Sequence, residues 1–520
     1  MIIPADVDVR KRRLELMIWA FVLSLAYYPE YFGFLAWFAL VRPIMIITRL
    51  RGRPAFNAAY FFAFFFNVFS LYWVAMVTPP GTISAIVIVS FYYAIVLTVF
   101  NRLYHFKPLL GLIALPFLWT GMEFFRTLTE FAFPWSDLGY TQAYYLYMLQ
   151  IVSVISVHGL SFIIVIVNLL LVQALRKELF PERRVTYLLV SVAVVALVGA
   201  YGWITLPRFP VPGTVDVAVL QGSIPIEVKW AEDNAGYTFQ RYDSLAQTIV
   251  DSAVDLYIWP ETAVPCYLSH DHVCRAEIGE IARRTATPHL VGGLGGGIVN
   301  EEPRHYNSCF HVNSAGIITG RYDKVKLVPF SEQVPYRNVL GFLRKDVLSK
   351  YLTFIETYNV QWWSDFQPGD SIRLFSIPEA TYGVLICFES TFPEYSRAMV
   401  RQGADFIVGI TNDTWFGTSV GIHMHSRIFL TRAVENRCWM ARAANSGLSY
   451  IVDPYGRIHG ELDTWEVAVL RGKVGLIDGR SVFTKYGDVV GRVSFLLLAA
   501  AVVILAAAWI LRKIIPRFSS

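Results

Sequence analysis

The sequence predicts a helical membrane bundle that carries a layered α/β domain, and three observations predict it. A mean hydropathy of +0.45, with 55% hydrophobic and only 16% charged residues, is too apolar for an ordinary soluble chain of 520 residues. The long apolar runs fall almost wholly within 14–205 and 493–511. Between them, residues 206–492 alternate strand-like and helix-like stretches and hold 27 Lys/Arg against 31 Asp/Glu. The net charge of +5 therefore comes from the segments flanking the apolar runs, which gives no support to nucleic-acid binding. The expected organisation is 1–205 as seven membrane helices, 206–492 as the α/β domain, and 493–520 as a last helix with a cytoplasmic tail.

Eight spans are expected, near 14–28, 31–48, 56–77, 82–101, 108–125, 148–174, 186–205 and 493–511. No small-residue cleavage site follows the first run, so it reads as an uncleaved span. Arg42-Pro43 interrupts the second, where a tilt that lets the arginine snorkel is the expected accommodation. Basic residues crowd alternate connections: Arg10 to Arg13, Arg49 to Arg53, Arg102 and Lys107, Arg176 to Arg184, and Arg512 to Arg517. The opposite connections carry almost none, Arg126 being the exception. The positive-inside rule puts the basic set in the cytoplasm and the α/β domain outside. The stretch Phe133-Pro134-Trp135-Ser136-Asp137-Leu138-Gly139-Tyr140-Thr141-Gln142 reads first as an interfacial aromatic belt, with part of a lipid entrance as the alternative.

In the α/β domain, strands are expected at 215–220, 256–259, 289–291, 306–312, 317–322, 372–376, 382–386 and 405–410. Helices are expected at 232–250, 275–285, 393–402 and 424–437. Asn313-Ser314-Ala315-Gly316 is a hairpin signal, and Gly292 to Gly297, which lacks a following Lys-Ser/Thr, reads as a tight turn. Strands and helices alternating with hairpins point to a mixed sheet with helices outside. The five cysteines all lie here, with no metal-type spacing; Cys266 and Cys274 are near enough to pair, and an odd count leaves at least one thiol free of internal bridges.

Three strand ends carry chemistry. Cys387 ends the apolar run Val384-Leu385-Ile386 and is followed by helix-start residues: Ser390 or Thr391 as N-cap, Pro393 in the first turn, and Glu394. A sharp strand-to-helix turn of this kind favours a thiolate, the reactive form of cysteine; the plainer reading is a core cysteine. Glu261 follows Trp259-Pro260, and Lys324 and Lys326 follow Arg321-Tyr322-Asp323. A carboxylate can take a thiol proton and a lysine can stabilise an oxyanion, although strand-end Glu and Lys are ordinarily solvated. The two lysines, two apart, share a face, so spacing does not choose between them.

Together, Trp259-Pro260-Glu261-Thr262-Ala263, Tyr322-Asp323-Lys324 with Leu327-Val328-Pro329-Phe330, and Ile386-Cys387-Phe388-Glu389 resemble the three motifs of the nitrilase (carbon–nitrogen hydrolase) superfamily. Leu220-Gln221-Gly222, Asn412-Asp413-Thr414-Trp415-Phe416-Gly417, Phe133-Pro134-Trp135 and Gly159-Leu160-Ser161-Phe162 resemble the bacterial apolipoprotein N-acyltransferase family within it. The resemblance implies an α-β-β-α sandwich and a triad of Glu261 as base, Lys324 as oxyanion stabiliser and Cys387 as nucleophile. It also implies supporting roles for Glu332, Glu389 and Phe388, and mobile-loop tryptophans at Trp230 and Trp415. Phe388 stands where the family often has Tyr, Lys326 where it often has His, and Ala132 where Gly is usual. The implied reaction needs no metal or cofactor. It moves an acyl chain from a phospholipid, through a Cys387 thioester, to a diacylglyceryl lipoprotein, at the periplasmic face of the inner membrane in a monomeric enzyme. A tethered amidase would need the same triad but a single span, and a lipid-binding protein would need no triad at all.

Overall fold

The structure is a computed structural model that describes residues 5–29, 31–176, 181–208, 212–231, 234–250, 252–299, 302–337, 339–341, 365–477 and 479–514. It divides into two compact units: Met1–Tyr72, Thr82–Ile204 and Asp488–Ser520 form the first, and Trp73–Gly81 with Thr205–Gly487 the second.

The first unit is all-helical. Among the described residues, six helices are long and apolar enough to cross a membrane: Arg53–Leu71, Gly81–Phe106, Pro108–Phe125, Val152–Leu175, Arg184–Thr205 and Val489–Ala508. The first expected span is the helix Ala5–Leu25, whose opening turns hold Arg10 to Arg13. The second is not one helix: a 3-10 turn at Gly33–Trp37 precedes a short helix, Val41–Ile47. Arg42 does not simply snorkel, since its guanidinium meets Glu15 at 2.7 Å. Gly121 lets two helices approach closely, because a Cβ there would strike the backbone of Ser494. The stretch expected as an aromatic belt is instead the polar core of this unit. Trp135, Ser136 and Asp137 are buried, and Asp137 pairs with the buried Arg126 at 2.5 Å. Leu138 N–H donates to Glu123 at 3.0 Å, and Gln142 spans Gly33 O at 2.8 Å and Trp37 Nε1 at 3.0 Å. A loop this rich in backbone polar groups is buried only when such partners satisfy it, which a pattern of aromatic residues does not reveal.

The second unit is two six-stranded sheets with helices on their outer faces. The first sheet runs β12-β1-β2-β3-β4-β5 and the second β11-β10-β9-β8-β7-β6. These strands are β1 Val215–Gln221, β2 Leu256–Ile258, β3 His289–Val299, β4 Glu302–Val312, β5 Ile318–Asp323, β6 Leu374–Ile377, β7 Ala380–Ile386, β8 Phe406–Thr411, β9 Met440–Ala444, β10 Ser449–Val452, β11 Ile458–Leu462 and β12 Ala468–Val474. Strands buried on both faces read as near-continuous apolar runs. Accordingly Val217, Val219 and Ile258 pack with Val384, Ile386 and Val408 between the sheets. Ala218 and Leu220 face the helices Ala235–Gln247 and His272–Thr285. Outside the second sheet, the helix Pro393–Gln402 lays Met399 over Gly383, and Val420–Asn436 lays Phe429 over Gly409.

Two expectations need correction here. Gly292 to Gly297 make no turn but lie within β3, paired antiparallel with β4 from His289↔Val312 to Val299↔Glu302. Their smallness serves close approach: a Cβ on Gly292 would strike Pro260 and Glu261, and one on Gly295 would strike Ser308 and Arg321. The strands β9 to β12 were not expected. The helix expected from Glu232 is found as Ala235–Gln247, and residues 232 and 233 lie outside the described residues, as does the tail beyond 514.

Candidate active site

The parallel strands β2, β7 and β8 run into polar residues. Glu261 lies just past β2, Lys324 just past β5, Cys387 just past β7 and Asn412 just past β8. Ligands of open α/β sheets bind at such ends.

The structure joins Glu261, Lys324 and Glu332. The Lys324 ammonium, 1% exposed, lies 2.9 Å from Glu332 Oε1 and 3.4 Å from Glu261 Oε1. Asn307 Nδ2 donates to both carboxylates, at 2.7 Å to Glu261 and 2.9 Å to Glu332. Asn412 N–H holds the other oxygen of Glu261 at 2.8 Å, and Val328 N–H the other oxygen of Glu332 at 2.8 Å. Burial pushes the Lys324 pKa down, but Glu332 and then Glu261 outweigh it and hold it well above the usual range. It stays a cation. Lys326 is placed elsewhere, its ammonium 5.1 Å over the ring of Phe392.

Cys387 opens a 3-10 turn, Cys387–Thr391, with φ of +50°. A non-glycine residue in the left-handed region costs about 1–3 kcal/mol and persists only where its surroundings impose it. Two networks impose it. Glu389 accepts from Ile386 N–H at 2.8 Å with one oxygen, and from Tyr322 OH and Val325 N–H at 2.7 Å each with the other. The Glu389 carboxylate therefore ties the segment carrying Lys324 to the turn carrying Cys387. On the other side, His425 Nε2 lies 3.1 Å from Cys387 O and its Nδ1 lies 2.9 Å from Asp413. Arg442 Nη2 donates to Asp413 at 2.6 Å. Burial pushes the Asp413 carboxyl up, but Arg442 and His425 outweigh it and hold the group well below the usual carboxylate range. Burial lifts Glu389 to about 7 despite its donors.

Two local expectations fail. Ser390 and Thr391 are not the N-cap. Phe392 takes that position with Pro393 first in the helix, while Ser390 Oγ donates to Cys387 O at 2.7 Å. Nor is the thiolate favoured at rest. Burial, then the negative charge of Glu261, pushes the Cys387 thiol well above its ordinary value, and Lys324, already shared between two carboxylates, does not offset this. The site thus holds a protonated thiol under the influence of the Glu261 carboxylate.

Phe388 is buried and meets Phe392 edge-on at 5.0 Å, so it packs the turn. Trp230 is exposed, and Trp415 is half-buried in the 3-10 turn Asp413–Phe416. Within the same unit Trp73 packs edge-on to Phe416 at 4.9 Å and supports that turn. Asn307, Asn412, His425 and Arg442 escaped the sequence reading as site residues. The available signal was a polar side chain inside an otherwise apolar strand, as in Tyr306-Asn307-Ser308 and Met440-Ala441-Arg442.

Residues 216–481 match the carbon-nitrogen hydrolase family, which sets the class of the sandwich unit. Residues 19–170 match the apolipoprotein N-acyltransferase N-terminal domain. Apolipoprotein N-acyltransferase of Geobacter metallireducens is 33% identical over 93% of this chain and 94% of its own, and that of Chlorobaculum tepidum is 31% identical over 88% and 89%. An amidase from Nesterenkonia sp. of known structure aligns with 51% of this chain and 93% of its own, at 18% identity and a TM-score of 0.36. The chain belongs to the apolipoprotein N-acyltransferase family, and it is an acyltransferase.

Proposed function

We propose that the protein moves a fatty acyl chain from a phospholipid to the α-amino group of a diacylglyceryl-cysteine lipoprotein, with Glu261, Lys324 and Cys387 as the catalytic groups. The observation that carries the assignment is the shared cluster of Glu261, Asn307, Lys324 and Glu332 beside a cysteine whose backbone is held at positive φ.

Glu261 takes the Cys387 proton as the sulfur attacks the ester carbonyl. Lys324 and backbone N–H groups of the turn stabilise the oxyanion. The C–O bond breaks, Glu261 returns the proton to the leaving lysophospholipid, and a thioester remains. The acceptor amine then attacks the thioester carbon, the C–S bond breaks, and the thiol is restored. Glu332 and Glu389 hold Lys324 and the cysteine turn in register. Trp230 and Trp415 belong to segments that cover the acyl chain, and the enzyme acts as a monomer.

The inner membrane is the proposed location, with 206–492 facing the periplasm and eight crossings in all. Its support is the one-sided distribution of basic residues and a Cys266–Cys274 disulfide, which suits an oxidising compartment.

Incubating the purified enzyme with acyl-labelled phospholipid alone should leave label on Cys387, and later addition of a diacylglyceryl lipopeptide should release it as amide. Lys324→Ala should slow labelling by about 10²–10³, the worth of one oxyanion donor, while Lys326→Ala loses far less. Equal losses would show that the wrong lysine has been chosen. Transfer by Cys387→Ala would remove covalent catalysis altogether.

A further inference from the structure

His425 belongs to the helix Val420–Asn436, is buried, and stands behind the cysteine turn. Its Nδ1 lies 2.9 Å from Asp413 Oδ1. Its Nε2 lies 3.1 Å from Cys387 O and 3.0 Å from Ser390 Oγ. Arg442 Nη2 reaches the other oxygen of Asp413 at 2.6 Å and comes within 3.2 Å of His425 Nδ1, because both cations bind one carboxylate.

Counting hydrogens fixes the state of the ring. Asp413 is a carboxylate and only accepts, so Nδ1 carries a hydrogen. Ser390 has a single hydroxyl hydrogen, and its Oγ lies 2.7 Å from Cys387 O. Were that hydrogen given to Nε2, Cys387 O would face lone pairs of both Ser390 Oγ and Nε2. With the hydrogen on Cys387 O, Nε2 is itself a donor. Both ring nitrogens then carry hydrogen, and His425 is an imidazolium.

The carbonyl it touches belongs to the Cys387–Phe388 peptide. A peptide group is planar, with C=O and N–H pointing opposite ways, so donors that fix Cys387 O also fix the Phe388 N–H. That N–H falls in the first turn of the 3-10 segment Cys387–Thr391, where no carbonyl of the segment can take it. It points away from His425 and Ser390.

We propose that His425, as an imidazolium, is a positioning residue for acyl transfer: through the carbonyl of Cys387 it aims and polarises the Phe388 N–H as an oxyanion donor. The inference rests on the acyl-transfer reading above. Linked hydrogen bonds polarise one another, so a charged donor on the C=O strengthens the N–H across the same peptide. Lys324 is shared between Glu261 and Glu332, which makes a second donor valuable. Negative charge develops on the carbonyl oxygen when sulfur attacks the ester and again when the amine attacks the thioester, so both half-reactions draw on it. His425 gives up no proton in either.

The test uses the full-length enzyme and a phospholipid whose acyl carbonyl is isotopically labelled. Infrared difference spectra of the acylated enzyme read the thioester C=O stretch, which falls as oxyanion donors pull on it. His425→Gln keeps a side-chain N–H for Cys387 O and removes the charge. Its thioester band should lie above that of wild type. Labelling at saturating phospholipid should slow about tenfold, the step from a charge-assisted to a neutral hydrogen bond, and discharge by lipopeptide should slow alike. The phospholipid concentration for half-maximal rate should not change. Ser390→Ala removes a neutral donor from the same oxygen, so it should shift the band the same way but less, and slow labelling less. A slower rate with an unshifted band would make His425 a structural support only. A change confined to the half-maximal concentration, or a larger effect in Ser390→Ala than in His425→Gln, would likewise overturn the inference. Absence of label from wild-type Cys387 would instead overturn the acyl-transfer reading beneath it.

Discussion

At the scale of single residues, position and protonation state part company. The elbow after Ile386 was legible because an apolar run that stops at a cysteine before Pro393 has few other meanings. The thiolate inferred from it is not favoured, because burial raises the thiol first and the charge of Glu261, 126 positions away in the chain and invisible to local pattern, raises it further. This disagreement is measurable. A thiol raised above its ordinary pKa stays protonated at pH 8, so alkylation of Cys387 by iodoacetamide should be slow there and climb with pH without a plateau below 9. The sign of the Glu261 contribution is upward, so Glu261→Gln should lower the thiol pKa. Alkylation at pH 8 should then rise by about tenfold for each unit lowered, while acyl transfer is lost. Mass spectrometry of the peptide containing Cys387 reads the first quantity and labelled phospholipid the second. Slower alkylation in the variant would mean that Glu261 activates the resting thiol rather than suppressing it.

At the scale of elements, legibility followed the strength of local signals. The helix Pro393–Gln402 and the hairpin at Asn313 to Gly316 appear as read, each carrying proline or Asn-Gly punctuation. Of the strands not expected, β9 escaped because Met440-Ala441-Arg442-Ala443-Ala444 has helix-forming composition, and its strand state is decided by pairing with β8 and β10. The glycines of β3 were misread for a related reason: glycine marks both turns and crowded strands, and only the neighbours distinguish the two. Those neighbours allow a paired prediction. A Cβ on Gly292 would lie 2.9 Å from Glu261 Cα and from Thr262 N, whereas one on Gly297 meets nothing within 4 Å. Gly292→Ala should therefore cost about 1–3 kcal/mol by overpacking and slow Cys387 labelling, because it displaces the strand end that presents Glu261. Gly297→Ala should stay within about 0.5 kcal/mol of wild type with labelling intact. Thermal unfolding and thioester formation check the pair. Equal effects at both positions would show that strand flexibility, not space beside Glu261, is what the glycines supply.

At the scale of the whole molecule, the chemistry makes sense only if the sandwich unit meets lipid from one defined side. The argument for that side is electrostatic and additive. Arg10 to Arg13, Arg49 to Arg53, Arg102 with Lys107, and Arg183 with Arg184 fall on alternate connections of the chain, and residues 206–492 fall between the remaining ones. Arg126, the exception on the sparse side, is withdrawn from that balance by its buried pair with Asp137. A cation neutralised inside the fold does not present a free charge at a membrane surface, so the asymmetry is cleaner than the sequence alone suggested. Among the described residues six helices satisfy the length and apolarity of a span, and the segments Ala5–Leu25 and Gly33–Ile47 decide whether the chain crosses two further times. Either way one candidate span, Arg184–Thr205, lies between Glu182 and residues 206–492, so a crossing there puts the two on opposite sides. The prediction follows from that crossing. In a Cys387→Ala background, Glu280→Cys should react with an impermeant maleimide added to spheroplasts, while Glu182→Cys should react only after the membrane is opened. Cys309 and Cys438, both buried, should stay silent in either case. The reverse pattern would put the sandwich in the cytoplasm and remove the lipoprotein reading with it. Labelling of both positions from outside would mean that Arg184–Thr205 does not cross at all.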